Sequence, residues 1–150
     1  MTTSLNHLYE QDFLAWTAHT ANLLRERRWD EVDLERLIEE VESMGDRPKD
    51  ALESNLIILL MHLLKWHYQP VYRSNSWRCS IVEHRRRIIH ALKKHPSLKS
   101  RLAGVWDECY LNAREDASQE TGLPINAFPD TCPWIAQKVL KTDFFPSDRD

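Results

Sequence analysis

Apolar side chains recur along the chain at intervals of three and four residues, the spacing that gathers them on one face of an α-helix. Over about residues 8–27, Tyr9, Phe13, Trp16, Thr20, Leu23 and Leu24 fall on one side, while Glu10, Asn22 and Arg25 fall on the other. This predicts a first amphipathic helix. Trp29 and Asp30 make a short connection, and Asp33 is placed to cap a second helix. The buried stripe of that helix is expected to be Leu34, Leu37, Ile38, Val41 and Met44, with Gly45 as its stop. Pro48 suits the first turn of a third helix, where its missing N–H costs nothing. From Leu52 to Tyr68 apolar residues cover nearly the whole circumference of that helix, which marks it as the central one. Pro70 ends it.

Ser76 is placed to cap a fourth helix reaching Lys94, with Trp77, Ile81, Ile88 and Leu92 inward. A fifth opens at Pro96 and runs to about Glu120, burying Leu98, Leu102, Val105, Trp106, Cys109, Ala113 and Ala117. Gly122 ends it, and a proline-punctuated loop leads to a short sixth helix over about residues 133–141, anchored by Trp134 and Val139. The last residues are expected to fray. Three glycines against seven prolines, and no alternating β-branched stretch, disfavour a sheet. The pattern predicts an all-α fold: an up-and-down bundle of five to six helices around the third, forming a single domain over residues 1–150 with its core at about 8–141.

Charge divides the chain in three. Residues 1–60 carry 6 Lys/Arg and 13 Asp/Glu, residues 61–101 carry 10 and a single acid, Glu83, and residues 102–150 carry 4 and 9. A basic middle between acidic flanks either neutralises them within the fold or presents a cationic face to phosphate or to an acidic partner. Cys79, Cys109 and Cys132 are odd in number and widely spaced, so no disulfide framework or zinc clip is expected and a reducing cytoplasm fits. No secretory leader is expected from the first thirteen residues. The longest apolar run, interrupted at His62 and broken at Lys65, is far shorter than the ~20 residues a bilayer requires, so no membrane association is expected.

Several stretches together resemble a known bacterial family, domain of unknown function twenty-nine. They are Tyr9-Glu-Gln-Asp12-Phe13-Leu-Ala-Trp16, Leu37-Ile-Glu39-Glu40-Val-Glu42-Ser-Met-Gly45 and His62-Leu-Leu-Lys65-Trp66 leading to Gln69-Pro70. Ser76-Trp77, Arg85-Arg-Arg-Ile88, Thr121-Gly122-Leu-Pro124 and Phe128-Pro129-Asp130-Thr-Cys132-Pro133 continue the likeness, which covers about residues 9–145. The resemblance implies an up-and-down helical bundle with a tryptophan-bearing basic segment between the third and fourth helices. It brings no assigned activity, cofactor or catalytic residue.

Candidate chemistry therefore rests on the residues. Asn55, His62 and Gln69, seven apart, form a polar strip on the apolar third helix. His62 is expected to bond a neighbouring carboxylate or carbonyl and fix helix register, to serve as a general base or ligand in a pocket beside Trp66, or to lie with the rest of the strip in solvent. Glu39 and Glu83 are the carboxylates such a pocket would use. Glu35, Glu39 and Glu42 flank the second helix's stripe, and a network joining them to Arg78 and Arg85 would reconcile the charge blocks. Two-metal bundles place a histidine three residues after a glutamate on two helices, and no such pair occurs; neither a metal site nor a cofactor is expected. Cys132 could sit at the start of the sixth helix, where the dipole lowers a thiol pKa, whereas Cys79 and Cys109 read as packing residues. Arg73, Trp77, Arg78, Arg86, Arg87, His90, Lys93 and Lys94 put cations and an aromatic on or near the fourth helix, a candidate phosphate-binding face. The reading favoured is a cytoplasmic module that recognises another macromolecule, a protein before a nucleic acid. The alternatives are a nucleic-acid binder using the fourth helix and an enzyme with a His62, Glu and Arg pocket. The sequence fixes no oligomeric state.

Overall fold

A computed structural model describes residues 2–147. Among these residues every regular element is helical. The helices are α1 (Thr2–Gln11), α2 (Phe13–Arg25), α3 (Leu34–Tyr68), α4 (Asn75–Lys94), α5 (Leu98–Thr121) and α6 (Ala136–Val139), with single 3-10 turns at Trp29–Glu31, Pro70–Tyr72 and Ile125–Ala127. The all-α class read from periodicity is the fold observed. Part of the fraying expected at the ends falls on Met1 and residues 148–150, outside the described set.

The chain divides into two compact units, Met1–Asp46 and Arg47–Asp150, and α3 carries it from the first into the second. Two expected boundaries differ. The first helix is interrupted at Asp12, whose backbone leaves the helical region and whose carboxylate accepts the Ala15 N–H at 3.1 Å, so that it caps α2. The second and third helices are one continuous helix of 35 residues with Pro48 inside it. Gly45 keeps an ordinary negative φ, so it makes no left-handed stop; Gly122 is the only described glycine with positive φ, and it closes α5. Residues 42–47 are all exposed, so water can satisfy the carbonyl that Pro48 leaves without its N–H.

The first unit has a small core. Trp16, Thr20 and Leu23 of α2 are buried, and Tyr9 meets Trp16 edge to face at 4.9 Å. The Tyr9 hydroxyl donates to the Glu40 carboxylate, and the Arg36 guanidinium lies 4.6 Å from the Tyr9 ring centre. These contacts fix which side of α3 faces α1. The stripe expected to be buried on this helix is not. Leu34, Ile38, Val41 and Met44 are between 48% and 67% exposed, and only Leu37 is half-buried.

The second unit holds the main core. Leu52, Leu56, Leu59, Leu60, Leu63 and Leu64 are all at 0% exposure, which accounts for the dense apolar run in this half of α3. Ile81 and Ile88 of α4 and Leu98, Leu102, Cys109, Tyr110, Ala113 and Ala117 of α5 close around it. The side-chain pairs give the directions. Glu53 meets Arg101 and Lys65 meets Glu120, so α3 and α5 run parallel. Lys65 meets Trp77 and His62 meets Ser80, so α4 runs antiparallel to both. This is an up-down-up arrangement. The cap of α4 is Ser74, whose hydroxyl accepts from Trp77 N at 3.2 Å, two residues before the expected Ser76.

The stretch after α5 folds back and is held by side chains. Tyr110 donates its hydroxyl to the Pro129 carbonyl at 2.5 Å, and Arg114 reaches the Phe128 carbonyl and the Asp130 carboxylate. Phe128, Trp134, Val139 and Phe144 enter the core cluster. α6 itself is four residues long, shorter than expected, because residues 132–135 are not helical and Ile135, just before it, is extended.

Candidate functional site

The second unit carries a cleft between the C-terminal ends of α3 and α5 and the first turn of α4. Lys65, Gln69, Tyr72, Trp77, Glu120 and Thr121 line about 310 Å³ there. Lys65 points outward from a helix that is otherwise apolar at this level, and its stem is covered so that the residue is 8% exposed. A lysine this buried requires a partner. Its ammonium donates to the Glu120 carboxylate at 2.7 Å and lies 4.7 Å from the Trp77 ring centre, combining an ion pair with a cation–π contact. The Glu120 side chain stays half-exposed, so one end of the pair is enclosed and the other is open to water.

His62 is one turn before Lys65 and half-buried. Its Nδ1 is 2.9 Å from the Ile58 carbonyl oxygen and 3.4 Å from the Ser80 hydroxyl, which in turn is 3.3 Å from His84 Nδ1. Burial, reinforced by the Lys65 ammonium, lowers the imidazole pKa despite the carbonyl, so the ring is neutral at physiological pH. The carboxylates expected beside it are engaged elsewhere. Glu39 belongs to the first unit and lies 3.7 Å from Arg36. Glu83 accepts from Arg86 at 2.7 Å and Arg87 at 3.0 Å, three and four residues along its own helix. The carboxylate that acts on the His62 charge is Glu120, which favours the protonated ring.

The candidate cations of α4 separate into distinct roles. Arg85 is 2% exposed and donates to the carbonyls of Val139 at 2.9 Å, Thr142 at 3.0 Å and Phe144 at 2.5 Å. Its guanidinium thus clamps the C-terminal stretch instead of joining the expected network with Glu35, Glu39 and Glu42. Arg78, the other arginine of that network, lies over Trp66 at 5.4 Å and Phe145 at 5.0 Å. Arg73 sits 5.0 Å from the Trp66 ring centre and donates to the Trp66 carbonyl at 2.8 Å. Trp66 is therefore a buried ring under a pair of guanidinium groups, and Trp77 is half-buried beneath the Lys65 ammonium. Arg86, Arg87, His90, Lys93 and Lys94 are exposed, the first two already paired with Glu83.

The thiols differ from expectation at two positions. Cys132 is not at a helix start, since α6 begins four residues later at Ala136; burial pushes its thiol pKa up, and it donates to the Trp134 carbonyl at 3.2 Å. Cys79 is exposed instead of packed, while Cys109 is buried and its pKa is pushed up to about 11 by burial. Among the described residues no three His, Cys, Asp or Glu side chains gather closely enough to hold a metal ion. No helix among them is long and apolar enough to cross a membrane.

Lys65 and Glu120 were not legible as a pair, being 55 residues apart. The signals were an ammonium breaking an apolar run and a carboxylate at the close of a long helix; only folding α5 parallel to α3 joins them. No curated protein and no solved structure matches this chain. A family model does, over residues 8–145, and the expected resemblance holds: the chain belongs to the family described as Domain of unknown function DUF29.

Proposed function

We propose that the protein is a docking module whose first unit receives a basic amphipathic helix from a partner protein. One observation carries this reading: the exposed stripe Leu34, Ile38, Val41 and Met44 on α3. At about 100° per residue these side chains occupy an arc of about 120°, a width suited to helix-on-helix packing. The Tyr9-facing side, marked by Arg36 and Glu40, lies on one flank. Glu42, Glu35 and Glu39 form the other flank. Apolar anchors at i, i+4, i+7 and i+10 are the pattern by which one amphipathic helix receives another.

Charge selects the occupant. Residues 1–46 hold 11 Asp/Glu against 4 Lys/Arg, a net charge of −7. A second copy would bring the same excess against it, whereas a cationic helix is steered in and paired at the glutamate flank. Nucleic acid is repelled by this unit. On α4 its cationic competitor face is reduced by the burial of Arg85, the stacking of Arg78 and the pairing of Arg86 and Arg87 with Glu83. The free thiols of Cys79, Cys109 and Cys132 support work in a reducing compartment such as the cytoplasm.

The test compares two synthetic helical peptides with the same leucine face, one with lysines and one with glutamates on the polar face, by fluorescence anisotropy against the full chain. The lysine peptide should bind, weaken as salt rises, and lose affinity by about tenfold or more in Ile38→Glu and Met44→Glu, whose exposed positions leave folding intact. Equal binding of both peptides, binding of neither, or Ile38-dependent dimerisation in sedimentation would overturn the proposal.

A further inference from the structure

The Lys65 cleft has unused bonding capacity of a particular kind. An ammonium has three N–H donors. Among the described residues Lys65 directs one to Glu120 and presents its charge to Trp77, and no other acceptor meets it. Glu120 accepts at one carboxylate oxygen and leaves the other open. The Gln69 amide and the Tyr72 hydroxyl line the same cleft without a side-chain hydrogen bond among the described residues. Thr121 is a bystander, since its hydroxyl donates to the Ala117 carbonyl at 2.7 Å.

An ammonium with spare donors thus pairs at 2.7 Å with a carboxylate whose second oxygen is a spare acceptor. A simple anion drawn to Lys65 meets Glu120, and a simple cation drawn to Glu120 meets Lys65. A small zwitterion meets neither objection, because its two charges lie head-to-tail against the pair and each gains an opposite neighbour. We propose that this cleft binds a free α-amino acid. The ligand carboxylate accepts from Lys65, its ammonium donates to Glu120, and its side chain extends toward Gln69 and Tyr72. The cleft volume, at the low end of the range for small-molecule pockets, suits a ligand of that size. The indole of Trp77 walls the site and holds the lysine in place.

Isothermal titration of the full chain with each standard L-amino acid, up to about 10 mM, tests this. At least one should bind with one-to-one stoichiometry. Its N-acetyl derivative, lacking the ammonium, and its methyl ester, lacking the carboxylate, should each bind about tenfold or more weakly, as removal of a charge-assisted hydrogen bond requires. Glu120→Gln, at a half-exposed position, should reduce affinity for the parent to that of the N-acetyl form, and Lys65→Met should reduce it to that of the ester. If Lys65→Met does not fold, Glu120→Gln and the blocked ligands decide the question alone. No binding by any amino acid, blocked forms that bind as well as the parent, or a Glu120→Gln variant with full affinity would overturn it. Ile38→Glu, which disables the docking face, should leave amino-acid binding unchanged.

Discussion

Replacing Arg85 by methionine tests how the second unit is closed. The substitution keeps an unbranched apolar stem but removes the guanidinium, leaving the carbonyls of Val139, Thr142 and Phe144 without their donor. Hydrogen bonds to a charged group contribute about 1.5–3 kcal/mol each, which for three bonds gives a gross loss of about 4.5–9 kcal/mol. Two effects oppose it. Burying a guanidinium costs several kcal/mol, a cost reflected in the lowered pKa that burial imposes on Arg85, and the variant escapes it. The freed carbonyls can also reach water if the stretch lifts away. A net destabilisation of about 2–4 kcal/mol follows, read as a urea midpoint lower by about 1–2 M at a slope near 2 kcal/mol/M. Hydrogen exchange should localise the loss to residues 139–145, with α3 protected until global unfolding. Arg85→Lys should recover less than half, because a point-like ammonium cannot span three divergent carbonyls. A midpoint within about 0.3 M of the parent, or unchanged exchange at residues 139–145, would refute the reasoning.

Leu60→Ala removes a side chain at 0% exposure and should destabilise by about 2–5 kcal/mol in the same urea assay, whereas Val41→Ala on the exposed stripe should cost less than about 0.5 kcal/mol. Titration with a thiol reagent at pH 8 should label Cys79 first and quickly, since it is exposed, while burial raises the pKa of Cys109 to about 11 and also raises that of Cys132. Labelling of Cys109 or Cys132 at the rate of Cys79 would contradict the burial. Because the pKa of His62 is depressed in the fold, the unfolded chain takes up its proton more readily; stability should rise with pH through the window just below 6.5 and level off above it. His62→Gln should flatten that slope, as measured by denaturation midpoints at pH 5, 6 and 7.

How much of this was legible in the sequence follows from which forces are local. The enclosed half of α3 was readable because Leu52, Leu56, Leu59, Leu60, Leu63 and Leu64, with Ile57, Ile58 and Met61, leave only a narrow polar strip at Asn55 and His62, whatever packs around them. The stops at Lys94 and Gly122 were readable because proline and a left-handed glycine act on their own backbone. The stripe at Leu34, Ile38, Val41 and Met44 has the same periodicity as a buried one, and periodicity reports amphipathicity without saying whether anything covers it. Gly45 and Pro48 misled because a breaker's effect depends on solvent access to the orphaned carbonyl. Arg85 was visible as a charge, but its acceptors are backbone atoms more than fifty residues away, and carbonyls have no sequence signature. Tyr110, at 1% exposure, escaped notice for the same reason: its hydroxyl is bonded by a carbonyl in the loop at Pro129.

The clamp at Arg85 also has a consequence for biosynthesis. A ribosome delivers α4 well before residues 139–144, so the guanidinium spends that interval hydrated, and the helices around it cannot adopt their final dry packing. Closure of the second unit therefore requires that these three carbonyls have emerged. A nascent polypeptide stalled short of Val139 would display Trp66 and the unfilled socket of Phe144, the kind of greasy surface that chaperones and proteases inspect.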